Sequence, residues 1–242
     1  CHEDVEKFGL HVDWRRSFVT TDANPFYDSF IRWQFNRLRA QDKIRFGKRY
    51  TIYSPLDGQP CLDHDRQSGE GVDPKEYVNI KLELQPSETF IEKFSALKGK
   101  SVFLLAGTLR PETMYGQTNC WVGPEIEYGA FATEAGEIYV CTARAALNMA
   151  YQEILPSKPE SLTKLMGSDL IGEFVKAPMA IAYDRVPILP MMTVAAGKGT
   201  GIVTSVPSNS PDDFAALRDL CEKEALRVKF GLKDEQVLPF KA

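Results

Sequence analysis

Histidine is scarce in this chain: only three occur, at positions 2, 11 and 64, all in the first third. A nucleophile activated by histidine would therefore have to borrow its base from a distant part of the sequence. His64 stands between Asp63 and Asp65, a side-chain set that binds metals, although a solvated acidic loop explains it more simply. The five cysteines, at 1, 61, 120, 141 and 221, are odd in number and contain no CxxC pair. That argues against a zinc site and fits free thiols in a reducing cytosol. No apolar run approaches the roughly 18 residues of a membrane helix, so no membrane partner is expected. The first residues, Cys1 to Lys7, are too charged for a signal peptide, and without an initiator methionine an excised fragment is the expectation. Neither GxGxxG nor GxxxxGK[ST] occurs. Gly197-Lys-Gly-Thr-Gly201 is glycine-rich, but it leads into a strand and offers a phosphate no helix N-terminus. Positive charge is not in excess either. A net charge of −4 does not suggest a generic nucleic-acid binder, so any RNA must be held by a local site that grips a specific end.

What is present is an ordinary globular composition, 43% hydrophobic and 26% charged over 242 residues, with no internal repeat. That length fits one large domain or one domain with a partial second. Residues 1 to about 50 read as mostly helical, with Asn24 as N-cap and Pro25 at the first helical position. Phe26, Phe30, Ile31, Trp33 and Leu38 then mark an apolar stripe, and Gly47 ends the region. Arg32, Arg37, Arg39, Lys43, Arg45, Lys48 and Arg49 make the same stretch basic, as a solvated helix face or as a surface for a partner. Arg49 to Tyr53 reads as a strand, Asp57-Gly58 as a turn, and Asp63 to Gly71 as a polar loop or linker.

From Tyr77 the character changes. Val78, Ile80, Leu82 and Leu84 alternate with polar residues as in a half-buried strand. Val102 to Ala106 and Ile138 to Cys141 read as buried strands, and Ala143 to Met149 as a helix. Leu162 to Met166 reads as a short helix ended by Gly167. Ala177 to Ala182 and Val186 to Leu189 contain prolines, which suits edge or barrel strands. Gly201 to Val206 reads as a central strand, followed by a helix with Ser210 as N-cap, Pro211 at its first position, and Phe214, Leu217, Leu220 and Leu226 on one face. Many short strands with few helices predict a mixed α/β fold whose sheet is closed or strongly curved. The expected division is a helical connecting segment, 1–75, followed by a strand-rich domain, 76–242.

Two strand ends carry the polar residues of interest. The first is Gly107-Thr-Leu-Arg-Pro-Glu-Thr-Met-Tyr-Gly116, directly after the buried strand. Thr108 and Thr113 have small hydroxyls on stiff side chains, suited either to holding an ester or ribose or to satisfying the backbone of the turn. Arg110 and Glu112 are candidates for a surface ion pair. The second is Gly199-Thr-Gly-Ile-Val-Thr-Ser-Val-Pro-Ser-Asn-Ser-Pro-Asp-Asp213. Asp213 sits three residues after Ser210, where a carboxylate either favours the helix N-terminus or recognises an ammonium group. Asp212 cannot share that contact, because adjacent helical positions face different ways.

These two segments together resemble the editing domain of the leucyl-tRNA synthetase family. Thr108-Leu-Arg-Pro-Glu-Thr113 is similar to its threonine-rich motif, and Gly199 to Asp213 to its second signature. Trp14-Arg-Arg-Ser-Phe18, Thr20-Thr-Asp22 and Arg32-Trp-Gln-Phe35 look like the class I synthetase segment that precedes this insertion, so the resemblance covers nearly the whole chain. The Arg-Pro-Glu-Thr variant is similar to the eukaryotic cytosolic branch and implies a cytoplasmic location; isoleucyl and valyl enzymes, the alternatives within the class, carry a Thr-Pro-Trp-Thr type of motif instead. An alternative of another class is a non-catalytic module whose first fifty residues bind a partner protein.

The resemblance implies a small β-barrel surrounded by helices and hydrolysis of the ester that links a wrong amino acid to the 3' end of leucine tRNA. Norvaline, isoleucine and methionine are the implied wrong amino acids. A single apolar pocket separates side chains differing by one methylene only about 10–200-fold, which is the need such a second site serves. Residue by residue, Asp213 would bind the α-ammonium, Thr113 would exclude leucine by size, and Thr108 would hold the ester or the attacking water. Leu109, Arg110, Glu112, Lys198, Thr204, Ser205, Val206 and Asp212 would complete or support the substrate site. Neither metal, covalent nucleophile nor cofactor is implied for editing; ATP and magnesium belong to the parent ligase, whose HIGH-type and KMSKS-type signatures are missing here. Boron compounds that esterify ribose diols would trap AMP in the site. Bacterial relatives place a histidine near Asn209 and an aspartate near Ser210, so contacts from those side chains do not carry over.

Overall fold

The structure, a computed structural model, describes residues 2–47, 51–54, 58–61 and 76–241. It divides into two compact units, Cys1–Cys61 and Leu62–Ala242. The expected boundary after residue 75 and this division bracket 62–75, which lie outside the described residues together with the expected loop at 63–71 and its His64.

In the first unit, α1 (His2–Lys7) and α2 (Pro25–Ala40) are the helices. The Asn24 side chain caps α2 as expected, accepting the N–H of Phe26 at 3.2 Å and of Tyr27 at 3.3 Å. No residue of α2 is buried within the unit, and its aromatic stripe faces outward, with Phe26 87% and Trp33 58% exposed. A two-residue hairpin follows, β1 (Tyr53–Ser54) against β2 (Gln59–Pro60), turned through Gly58 at φ +68°. Only the end of the strand expected at 49–53 is described; Lys48, Arg49 and Asp57 lie outside the described residues.

The second unit contains β3 (Val78–Gln85), α3 (Glu88–Lys93), β4 (Val102–Thr108), β5 (Asn119–Val122), β6 (Glu127–Ala132), β7 (Ile138–Cys141) and α4 (Ala143–Tyr151). It continues with β8 (Ser161–Met166), α5 (Gly167–Leu170), β9 (Phe174–Lys176), β10 (Arg185–Pro190), β11 (Ile202–Ser205), α6 (Pro211–Glu222) and α7 (Glu224–Lys229). Nine strands form one mixed sheet in the order β11-β5-β10-β9-β3-β4-β7-β6-β8. The β10/β5 and β4/β7 pairs are parallel and the others antiparallel. The fold is the mixed α/β class expected, but strand pairing does not close a barrel among the described residues. Instead the sheet curls until β11 lies against β4. Thr200, just before β11, fastens the curl: its Oγ1 accepts the Gly107 N–H at 3.3 Å and its carbonyl accepts the Thr142 N–H at 3.0 Å.

Three expectations are corrected. Residues 162–166 are not a helix but most of β8, with Leu165 paired to Tyr128 and buried while its neighbours face out. The helix starts where it was expected to end, at Gly167: a Cβ there would lie 1.9 Å from the Gly123 carbonyl oxygen, so only glycine allows that approach. Residues 177–182 form turns instead of a strand. The strand at 202–205 ends the sheet order instead of sitting centrally, because among the described residues only β5 pairs with it. The proline-bearing β10 lies inside the sheet by pairing with β9 through its first half and β5 through its second. The Ile188 N–H donates to the Glu173 carbonyl at 2.8 Å on the β9 side. Strand alternation therefore turns the nitrogen of Pro187, which has no proton to give, to the side where pairing has not yet begun.

The main core lies inside the curl, with Leu82, Leu104, Val122, Val140 and Ile188 among its buried residues. A second cluster packs α4 on the sheet through Ala146 and Met149. A third packs α6 through Leu217 and Leu220 against Trp121 and Leu189. Of the face expected on α6, Phe214 is 45% exposed, and Leu226 falls in α7 after the helix breaks at Lys223.

Candidate functional site

The first polar segment leaves the sheet at Thr108, the last residue of β4, and folds into a 3-10 turn over Pro111–Gly116. Met114, fully buried, anchors that turn in the core. Thr108 Oγ1 accepts the Arg110 N–H at 3.1 Å, while Thr113 Oγ1 donates to the Arg110 carbonyl at 2.8 Å. Both hydroxyls therefore serve the turn. Thr108 keeps its hydroxyl proton and Thr113 its lone pairs for another partner. Leu109, Arg110 and Glu112 are exposed, and the candidate pair of Arg110 with Glu112 is not among the ion pairs of the described residues.

The second segment supplies the opposite wall. Thr204, Ser205 and Val206 are buried, whereas Lys198 and Asp212 are exposed. The two segments meet where Gly116 abuts Ser208: a Cβ on Gly116 would stand 2.8 Å from Ser208 Oγ. This contact continues the β5/β11 register, in which Asn119 opposes Ser205. Thus the structure brings the turn bearing Thr113 against the segment bearing Val206.

Asp213 departs from the capping role open to it. Ser210 Oγ accepts the Asp213 N–H at 3.3 Å, so serine is the cap. The Asp213 side chain instead turns inward, 6% exposed, on the same helix face as Leu217 and Leu220. Its Oδ1 accepts the Trp121 Nε1–H and its Oδ2 the Val206 N–H, both at 2.9 Å. One carboxylate thereby ties α6 to β5 and to the end of β11. Each oxygen retains a further lone pair. Asp212, the next residue outward, does not share the site.

Several residues here have no counterpart in the motifs. Trp121 is fully buried, and its indole N–H finds in Asp213 the acceptor that a buried donor needs. Behind the threonine turn lies a buried polar group. Thr118 Oγ1 donates to Asn119 Oδ1 at 2.9 Å and lies 3.3 Å from Ser205 Oγ. The Gln117 amide, Asn119 Nδ2 and Thr204 Oγ1 are buried without a protein partner among the described residues. Tyr77 is the aromatic residue common to both segments: a Cβ on Gly107 would lie 3.5 Å from its Cδ1, and one on Gly199 3.8 Å from its Cε1. Cys120, next to Thr204 across the β5/β11 pair, has its thiol pushed up to about 12 by burial, as does Cys141. Neither is a nucleophile near neutral pH.

No protein-family model matches the chain. Among curated proteins, the cytoplasmic leucine–tRNA ligase of Pongo abelii is 56% identical over 240 residues, covering 98% of this chain and 20% of the relative. That of Saccharomyces cerevisiae is 51% identical over 248 residues, covering 99% and 22%. The chain thus spans about a fifth of the length of the curated relatives it matches. Among solved structures, GlLeuRS-CP1 is 39% identical with a TM-score of 0.62, each chain covering 69% of the other. The cytosolic leucyl-tRNA synthetase editing domain of P. knowlesi is 27% identical with a TM-score of 0.58, covering 66% of this chain and 68% of that one. The two polar segments meet in a fold shared with those editing domains, and on this combined likeness of sequence and fold the chain belongs to the leucyl-tRNA synthetase family and comprises its editing domain.

Proposed function

We propose that this chain hydrolyses the ester between a wrong amino acid and the terminal adenosine of leucine tRNA, after transfer, within a cytoplasmic leucine–tRNA ligase. The observation that carries it is the meeting of the threonine turn with the 206–208 segment at Gly116 and Ser208, in a fold like that of known editing domains. Norvaline, isoleucine and methionine are the side chains the site is to admit, and leucine the one it must refuse.

Thr113, held rigidly by its bond to the Arg110 carbonyl, presents its methyl and Cβ as a fixed edge that the γ-branch of leucine meets. Thr204 and Val206 line the amino-acid pocket, with Ser205 behind them. Thr108, whose Oγ1 already takes the Arg110 N–H, has its proton left to steer a water or an ester oxygen. Asp213, fixed by Trp121 and Val206, offers its remaining lone pairs to the α-ammonium. Leu109 and Lys198 contact the exposed side of the substrate, while Arg110, Glu112 and Asp212 support the two segments. Hydrolysis then rests on holding water and ester together and on N–H donors for the oxyanion, helped by the neighbouring ribose hydroxyl. Editing needs no cofactor in this scheme; ATP and magnesium serve the parent ligase. A boron compound esterified to the ribose of AMP would occupy the same space.

The test is deacylation of leucine tRNA charged with norvaline or isoleucine. The chain is expected to cleave both and to spare leucine-charged tRNA. Thr113→Ala is expected to cleave leucine-charged tRNA as well, erasing a discrimination of about 10–200-fold. A Thr113→Ala protein that still spares leucine-charged tRNA while cleaving the others removes Thr113 from the gate.

A further inference from the structure

Tyr77 lies outside both motifs yet touches both, and its surroundings have a chemistry of their own. In the β3/β4 pair Val78 opposes Thr108 and Asn79 opposes Gly107, so Tyr77 stands at the open end of the ladder beside Leu109. The ring rests against the backbone of Gly107 and Gly199, where the lack of side chains leaves room for it. It is only partly buried, and the neighbouring Leu109 is 50% exposed. Two cations flank this place. Arg144 Nη2 donates to the Gly199 carbonyl at 2.6 Å, and the residue is exposed. Lys198 adjoins Gly199 in sequence and is exposed. Neither cation forms an ion pair among the described residues, so both are free to meet a phosphate.

An aromatic face held on a rigid backbone and bordered by unpaired cations is what a single-stranded nucleic acid requires: a surface on which a base stacks, and positive charge for the phosphates beside it. The protein's net negative charge makes such a local pair the more informative. Resting on the editing function proposed above, we infer that Tyr77 stacks a base of the single-stranded tRNA 3' end while Arg144 and Lys198 hold its phosphates, forming an entry track to the threonine turn. Tyr77 and Arg144 are thus substrate-binding residues for the RNA, not for the amino acid.

The test uses the 242-residue chain and two uncharged RNA hairpins, one with a four-nucleotide single-stranded 3' end and one blunt, with dissociation constants read by fluorescence anisotropy. Tyr77→Leu, which keeps apolar packing against the glycines, is expected to weaken the tailed hairpin about tenfold and leave the blunt one unchanged. Tyr77→Phe is expected to bind as the parent does. Arg144→Gln is expected to weaken the tailed hairpin and to lower the slope of log K against log salt by about one. In deacylation the Tyr77→Leu loss falls on KM, with kcat retained. Equal affinity of parent and Tyr77→Leu for the tailed hairpin overturns the inference, even if the parent edits normally. If the parent binds the tailed hairpin through Tyr77 but cleaves no misacylated tRNA, the track stands and the editing function falls.

Discussion

Asp213 shows how one side chain accumulates duties that a motif does not reveal. Removing its carboxylate leaves the Trp121 Nε1–H and the Val206 N–H buried without acceptors, a cost on the order of 3 kcal/mol. Asp213→Ala is therefore expected to melt markedly lower than the parent, and loss of editing alone would not assign its role. Trp121→Phe gives the contrast, because it disturbs the same junction but leaves the carboxylate in place. At a temperature where both variants are folded by circular dichroism, Asp213→Ala is expected to be inactive and Trp121→Phe to edit. Inactivity of both in proportion to their lost stability would reduce Asp213 to a structural tie. The sequence showed the position of this carboxylate but not its inward turn, since the partner that draws it in lies 92 positions earlier.

Among the elements, the legible ones are those whose side chains alternate or repeat. β3 alternates, β4 is continuously apolar, and α2 and α6 each carry an N-cap followed by proline. β5, four residues all buried, has no period to read, and β6 contains Gly129 and Ala130 where a strand former would be expected. β8 lacks a helix-breaking residue before Gly167, so only its pairing with β6 decides its form. Gly167 then tests the packing at that end of the sheet. Gly167→Ala must push backbone aside, since its Cβ would meet Gly123 O at 1.9 Å and Gly123 C at 2.8 Å. A loss of about 1–3 kcal/mol is expected, against almost none for Gly197→Ala, where a Cβ meets nothing within 4 Å. Equal melting temperatures for the two variants would show that the Gly123 loop yields freely.

For the molecule as a whole, all three apolar clusters are built from residues of the second unit. The first unit buries none of α2 within itself. Deleting residues 1–61 is accordingly expected to leave the main thermal transition of the rest within about 2 °C, a change of under about 1 kcal/mol for a unit of this size. A larger drop would mean that the second unit depends on the first for its stability. The β-barrel implied by the family resemblance is, among the described residues, a curled sheet, in which Thr200 and Tyr128 tie the start of β11 to β4 and β6 by hydrogen bonds instead of a ladder. Such side-chain fastenings have no periodicity, and composition cannot announce them.

The meeting of Gly116 with Ser208 also bears on the order of events during synthesis. The threonine turn leaves the ribosome well before the segment that faces it, and the two touch where the β5/β11 pairing continues to Gly116 and Ser208. A nascent chain that carries only the turn lacks the second wall of the proposed site. Under the editing function proposed above, discrimination and hydrolysis would both await that meeting.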